Sequence, residues 1–350
     1  MAPNIGIITN PKSRRNRARM ARIERLHRYA GDDALVRATG DLSEVRGVVE
    51  EFIDQDCRYW VADGGDGTLH WLMNEGREVL EGRGLWDGAS PFPFPLVPTN
   101  GGTIDFVARR VGIRGRSDAV IRRLVDGVRD GAGFDLVEVP TLEVLGHRAG
   151  DLPGVNAFRR IGFATAIGGV GQKFFEKYYE SPNPNAWTII EIAFKSGAGH
   201  LASFLPFKGA RWLEDWKEHG RHLLSGTRAE VIADGRALPY EVYQGLHVGA
   251  VSIDFGTMKL FPFAGEPGKL HLVAGAMAPA ECSWKWIWLV AGKPVPGGTW
   301  HEFAGETLEV RARDGEVLDP VIDGESFVGL DWLCVRPGPS IQVPRIKAGL

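Results

Sequence analysis

The sequence predicts a parallel α/β domain followed by a mainly antiparallel β domain that carries a few inserted helices. Three observations lead there. Short apolar runs and helical patterns alternate through the N-terminal part, the rhythm of a parallel sheet covered by helices. Near residues 126–133 the chain becomes glycine-rich, and beyond it strand-like runs dominate. The length of 350 residues is enough for two domains, each with its own core.

Residues 5–9 read as the first strand, and 13–30 as a helix with Met20, Ile23 and Leu26 inward. Residues 34–38 form the second strand. The helix that follows, from Leu42, has Asp41 and Glu44 spaced as a capping box. The third strand, 58–62, runs through a glycine turn into a helix from Thr68, and the fourth, 94–97, leads into Pro98-Thr99-Asn100-Gly101-Gly102-Thr103. Ligands of such sheets bind beyond the carboxyl ends of the strands. Four loops share that edge: 10–13, 39–40, 64–68 and 99–103.

In the second part, 136–145, 228–233, 241–251, 269–273, 307–312 and 332–336 are strand-like, and helical patterns interrupt at 172–179, 187–195 and 284–290. Asp234-Gly235 and Asp314-Gly315 each separate two candidate strands, a hairpin signal.

The most informative stretch is Gly64-Gly65-Asp66-Gly67-Thr68. Its glycines allow a sharp turn and a close backbone approach to a ligand. The helix behind them offers N–H groups and a partial positive charge suited to a phosphate. Asp66 alone would repel that phosphate; it fits where a divalent cation lies between them, or where it takes part in proton or metal chemistry. The plainer alternative is a tight surface turn, because Asp-Gly pairs are common in turns.

Composition narrows the function classes. A formal charge of −3 provides no global reason to expect nucleic acid as a partner. Cys57, Cys282 and Cys334 lie far apart without Cys-x-x-Cys spacing, which argues against a disulfide framework or zinc knuckle and suits a reducing cytoplasm. The N-terminus lacks the pattern of a signal peptide, and no apolar stretch nears the roughly 20 residues of a spanning helix. A soluble protein is expected, which does not exclude one that rests on a bilayer.

With its loops placed, the chain resembles the diacylglycerol kinase catalytic-domain family, which includes bacterial lipid kinases and the sphingosine and ceramide kinases. The resemblance rests on Asn10-Pro11-Lys12-Ser13, on Gly64 to Thr68, on the stretch from Pro98 to Arg109 and on Asp323-Gly324-Glu325, in that order. It implies a Rossmann-like α/β nucleotide-binding domain (1–133), a C-terminal β-sandwich domain for the lipid (134–336) and a tail (337–350) that can return to the first domain. It places the active site in the cleft between the domains.

The resemblance also implies roles. ATP would be bound by Asn10, Pro11, Lys12 and Ser13, by Thr39, by Gly64, Gly65, Gly67 and Thr68, and by Thr103. Asp66 would lie by the phosphates and hold Mg²⁺. Glu325 would be the general base toward the lipid hydroxyl, with Asp323 beside it. The third motif departs from the family pattern, leaving open whether Thr99 or Thr103 touches the nucleotide. Gly162-Phe163-Ala164 lacks the acid that grips a sphingoid head, which leaves diacylglycerol or a ceramide-like lipid as acceptor.

The implied protein is an ATP-dependent lipid kinase, cytoplasmic and transiently at the inner membrane face, with homodimerisation left open. The alternatives are a non-catalytic nucleotide- and lipid-binding protein and a soluble-substrate kinase related to the NAD kinases.

Other residues carry weaker signals. Lys12, Arg14 and Arg15 could neutralise phosphate, whereas Arg17, Arg19, Arg22, Arg25 and Arg28 read as a solvated helix face. His70 reads as a packing residue, with no second histidine at i+4. Trp284, Trp286 and Trp288, with Phe261 and Phe263, read either as an interfacial surface or as core filling.

Overall fold

Four parallel strands organise the first part of the molecule, seen in a computed structural model. It describes residues 4–346 except 12, 14–19, 103, 132, 149, 152–157, 182–185, 204–210, 256–257 and 292. The chain forms two compact units, Met1–Thr141 with Gly338–Leu350, and Leu142–Pro337.

In the first unit β1 (Ile5–Thr9), α1 (Met20–Ala30), β2 (Ala34–Ala38), α2 (Ser43–Asp54), β3 (Tyr59–Asp63), α3 (Asp66–Gly82) and β4 (Leu96–Pro98) alternate, followed by α4 (Phe106–Arg110), α5 (Ser117–Arg129) and β5 (Leu136–Val139). The sheet order is β2-β1-β3-β4, all parallel. Ile5, Ile7 and Ile8 of β1 and Trp60, Val61 and Ala62 of β3 are fully buried. That is why these strands read as continuous apolar runs: helices cover both faces of a parallel sheet. The capping expected before α2 is present. Glu44 accepts the Asp41 N–H at 3.3 Å, and Asp41 accepts the Ser43 N–H at 2.9 Å.

Two readings change here. The run 136–145, expected as one strand of the β domain, breaks after Val139, and β5 pairs antiparallel with the C-terminal strand Ile341–Pro344. The first unit therefore reaches Thr141 rather than ending at 133. Its C-terminal segment is also tied in by the Phe92 N–H donating to the Ser340 carbonyl at 2.8 Å. On α1, Leu26 is buried and Ile23 half-buried as expected, but Arg22 is buried too and is no part of a solvated face. Residues 14–19, where the helix was expected to begin, lie outside the described residues.

The second unit contains β6 (Leu142–Arg148), β7 (Phe158–Gly162), β8 (Ala164–Gly169), α6 (Val170–Glu180), α7 (Ala186–Ser203), α8 (Arg211–Leu224), β9 (Thr227–Ala233), β10 (Arg236–Ala237), β11 (Val242–Tyr243), β12 (Gly245–Gly249), β13 (Ile253–Phe255), β14 (Met258–Leu260), β15 (Leu270–Gly275), α9 (Pro279–Val290), β16 (Trp300–Gly305), β17 (Leu308–Ala312), β18 (Val321–Ile322), β19 (Glu325–Ser326) and β20 (Leu330–Pro337). One sheet runs β10-β9-β17-β20-β6-β7, with β11 also on β9, and the other runs β16-β15-β12-β8-β18-β19. Their inner faces share one core, to which Val144, Val231, Val310 and Leu333 come from the first sheet and Leu246, Val248, Leu272 and Ile322 from the second. This is a β-sandwich.

Asp234-Gly235 closes a hairpin between β9 and β10. Asp314-Gly315, with both residues at positive φ, turns the chain after β17 without joining a paired hairpin, because the neighbours of β17 are β9 and β20. Helix α8 was missed in the sequence, although its buried Lys217, Gly220 and Leu224 follow helical spacing.

Candidate functional site

The carboxyl edge of the parallel sheet is built from glycines packed backbone against backbone. A Cβ on Gly65 would lie 2.8 Å from the Gly102 Cα, and one on Gly101 would lie 2.6 Å from the Gly64 carbonyl oxygen. The Gly101 N–H donates to that carbonyl at 3.0 Å, so the loops after β3 and β4 are directly bonded. Gly65 caps α3 with φ −96°, an ordinary conformation. These glycines are required by space rather than by dihedral angle.

Asp66 opens α3, half-buried, and its Oδ2 accepts the Phe106 N–H at 3.3 Å. That bond ties the third motif to the Asp66 carboxylate. Asp105, just before α4, is left-handed at φ 51°, and its Oδ1 accepts the Gly102 N–H at 2.8 Å. The irregular spelling of this motif thus corresponds to a strained turn fastened by its own aspartate.

Among the other sequence-predicted residues, the Asn10 amide donates to the Thr68 hydroxyl at 3.5 Å, joining the first loop to α3. The Ser13 N–H donates to the Asn10 carbonyl at 3.2 Å, while the shielded Ser13 Oγ has no hydrogen-bond partner among the described residues. Pro11 is half-buried beside them, and Thr39 is buried, its N–H donating to the Thr9 carbonyl at 3.0 Å. Lys12 and Thr103 lie outside the described residues, as do Arg14, Arg15, Arg17 and Arg19. The Thr99 hydroxyl is 3.3 Å from Asp63 Oδ1 and 3.4 Å from the Gly64 carbonyl, an internal role. His70 is fully buried, within 3.4 Å of the Asn74 amide and edge-on to Trp71, as a packing residue would be.

The sequence did not reveal a buried ionic hub beneath these loops. Asp63 is 0 % exposed and Arg22 3 %. The guanidinium grips both carboxylate oxygens of Asp63, with Nη2–Oδ1 at 2.8 Å, and its Nε bonds Asp118. Burial works against the guanidinium charge, but the hydrogen bond and charge of Asp63, then Asp118, outweigh it and hold its pKa above the ordinary value. A signal was present: Arg22, Leu26 and Ala30 recur at i+4, and all three are buried.

In the second unit Asp323 and Gly324 form a two-residue hairpin turn between β18 and β19, with φ values of 52° and 90°. Positive φ at both central residues is the type I′ signature. The buried Asp323 Oδ1 accepts the Phe163 and Ala164 N–H groups at 2.9 and 3.0 Å. The Tyr179 hydroxyl donates to the Gly324 carbonyl at 2.6 Å. Glu325 follows, half-buried on β19. Asp323 Oδ1 is committed to the backbone.

Of the expected aromatic surface, Phe263 stacks on buried His271 at 5.3 Å and Phe261 meets it edge-on at 5.4 Å. Trp288 is half-buried, and the side chains of Trp284 and Trp286 lie outside the described residues. Phe263 is nonetheless 38 % exposed; among the described residues the most exposed aromatics are Phe194 on α7 and Trp212 on α8, 64 % and 59 % exposed, both in ring contact with Trp216. No helix among the described residues is long and apolar enough to cross a membrane.

A parallel sheet whose glycine loops meet at the start of a helix is followed in the same chain by a β-sandwich. Residues 4–134 match the family model of the diacylglycerol kinase catalytic domain. A kinase domain implies ATP as phosphoryl donor.

Solved structures share the fold. A diacylglycerol kinase from Bacillus anthracis str. Sterne superposes with a TM-score of 0.55 at 12% identity, over 97% of this chain and 96% of that one. Another protein of that strain, assigned to the diacylglycerol kinases, reaches 0.61 at 14% identity with the same coverage. At such identities the likeness establishes the fold alone. No curated protein matches the sequence.

Proposed function

We propose that the protein transfers the γ-phosphoryl group of ATP to a primary hydroxyl of a membrane lipid, with diacylglycerol or a ceramide-like lipid as acceptor. The observation that carries this reading is the glycine-on-glycine packing of 64–65 against 101–102 at the start of α3. It sets the two loops together at the N-terminus of α3, whose first-turn N–H groups would meet the phosphates. The Ser13 Oγ, without a partner among the described residues, would add a donor from the first loop.

Mg²⁺ fits this setting in one form. Among the described residues no three His, Cys, Asp or Glu side chains form a metal cluster. Asp66 alone would hold the ion, the remaining ligands being phosphate oxygens and water, the usual manner of Mg²⁺. Bound there, it would neutralise charge on the phosphates.

In the transfer, the lipid hydroxyl oxygen bonds to the γ-phosphorus as the bond from that phosphorus to the β,γ-bridging oxygen breaks. Glu325 accepts the hydroxyl proton, and ADP leaves with the bridging oxygen. Asp323 acts as a positioning residue: its two backbone bonds fix the turn from which Glu325 projects. The exposed Phe194 and Trp212 support a membrane-facing role for α7 and α8, since aromatic rings favour the bilayer interface.

The test is incubation with labelled ATP, Mg²⁺ and mixed micelles of diacylglycerol, ceramide, sphingosine and monoacylglycerol. Label is expected in diacylglycerol or ceramide, and both Asp66→Ala and Glu325→Gln should lower the rate by about 10²–10⁴-fold. An unlabelled panel, or variants as fast as the parent, would contradict the proposal. Replacing Phe194 and Trp212 by serine is expected to weaken co-sedimentation with vesicles while leaving ATP binding intact.

A further inference from the structure

We infer that Arg22 and Asp63 are a positioning pair for the nucleotide loops; the inference rests on reading those loops as the ATP site. Asp63 is the last residue of β3, and its carboxylate reaches the starts of the loops on either side. Thr9, which ends β1 immediately before Asn10, donates its hydroxyl to Oδ2 at 3.1 Å. Thr99, immediately after β4, donates to Oδ1 at 3.3 Å. The Asn10 N–H donates to the Asp63 carbonyl at 3.1 Å, and the Thr39 N–H to the Thr9 carbonyl at 3.0 Å. One buried residue thereby fixes the starts of three loops directly, and that of the fourth only through Thr9.

Arg22 makes this arrangement directional. Its planar fork accepts one orientation of the carboxylate, and its Nε on Asp118 fastens the same guanidinium to the first turn of α5. A buried ion pair adds little stability compared with apolar residues of the same volume. Its value here is geometric. It also neutralises a carboxylate that would otherwise oppose phosphates bound at the adjoining loops. Neither residue needs to touch the nucleotide, because each acts through the backbone of Asn10, Gly64 and Thr99.

The experiment uses the full chain, with ATP binding measured directly and KM measured separately for ATP and for lipid in micelles. Variants are Thr9→Val, Thr9→Ser and the double replacement Arg22→Met with Asp63→Asn, which leaves no lone buried charge. All are assayed well below their melting temperatures. The double variant should weaken ATP binding and raise KM for ATP by about tenfold or more, since misplaced binding groups are costly, with KM for lipid unchanged. Thr9→Val should show a smaller effect in the same direction, and Thr9→Ser should restore the parent value.

If the folded variants bind ATP as the parent does and differ only in melting temperature, the pair is purely structural and the inference fails. It fails equally if Thr9→Ser is as impaired as Thr9→Val. Should the double variant not fold, the two Thr9 variants decide. A parent protein that does not bind ATP overturns the nucleotide-site reading itself, an outcome distinct from unaffected variants of a parent that binds.

Discussion

The turn after β3 and the turn between β18 and β19 share the letters Asp-Gly, yet they need glycine for different reasons. Gly65 keeps an ordinary φ of −96°, and what forbids a side chain there is the Gly102 backbone. Gly324 adopts φ 90° beside Asp323 at 52°, and what forbids a side chain is first the dihedral itself. The aspartates also divide. Asp66 is half-buried at a helix start, whereas Asp323 is buried and spends one oxygen on two backbone amides. One turn is closed backbone against backbone on the loop after β4. The other is shaped to hold the next residue still.

That contrast can be broken most sharply at Asp323. Asp323→Ala would leave the Phe163 and Ala164 amides without their acceptor and should cost about 3 kcal/mol, read as a lower urea midpoint at unchanged m-value. Gly101→Ala comes next. Its Cβ would meet the Gly64 carbonyl, so a loss of about 1–3 kcal/mol is expected from the forced backbone shift, together with weaker ATP binding by titration calorimetry. Gly324→Ala should cost about 1–2 kcal/mol through the left-handed backbone and leave ATP binding untouched. If Gly101→Ala and Gly324→Ala affected ATP binding equally, the division of labour between the two turns would be wrong.

The smallest effect sharpens the same contrast through pH. In the β unit, burial, aided by neighbouring His271 and opposed by Glu302, pushes the His247 pKa down to about 4. Between that value and the ordinary one near 6.5, the unfolded chain binds the proton and the folded one does not. Stability is therefore full above about pH 6.5 and is lost as pH falls toward 4. Thermal melts from pH 7 to 5 should show a falling midpoint, and His247→Gln should flatten that slope. Arg22 in the α/β unit, its pKa raised, keeps its charge throughout this range.

Much of the α/β unit was legible because its signals are local. Fully buried parallel strands give apolar runs, as at Ile5 to Ile8 and Trp60 to Ala62, and the Asp41–Glu44 spacing announced its cap. The hairpin at Asp234-Gly235 was equally plain. Harder were features decided by distant partners. Val139 belongs to the first unit because Ile341 pairs with it, a contact no window of neighbouring residues contains. Arg22 looked like one more arginine of a wet helix until Asp63 and Asp118 met it. Phe261 and Phe263 read either as an interfacial surface or as core filling; both rings meet His271, and Phe263 stays exposed.

By itself the sequence determined the order of elements, the edge of the sheet where the loops collect and the residue types available for phosphate chemistry, because periodicity and turn preference act over a few residues. Tertiary structure alone decided that a side chain at Gly65 or Gly101 would meet the facing backbone, that Asp323 holds a turn, and that Arg22 lies beneath the loops. Each of those outcomes depends on atoms brought together from far along the chain, where sterics and buried charge set the terms.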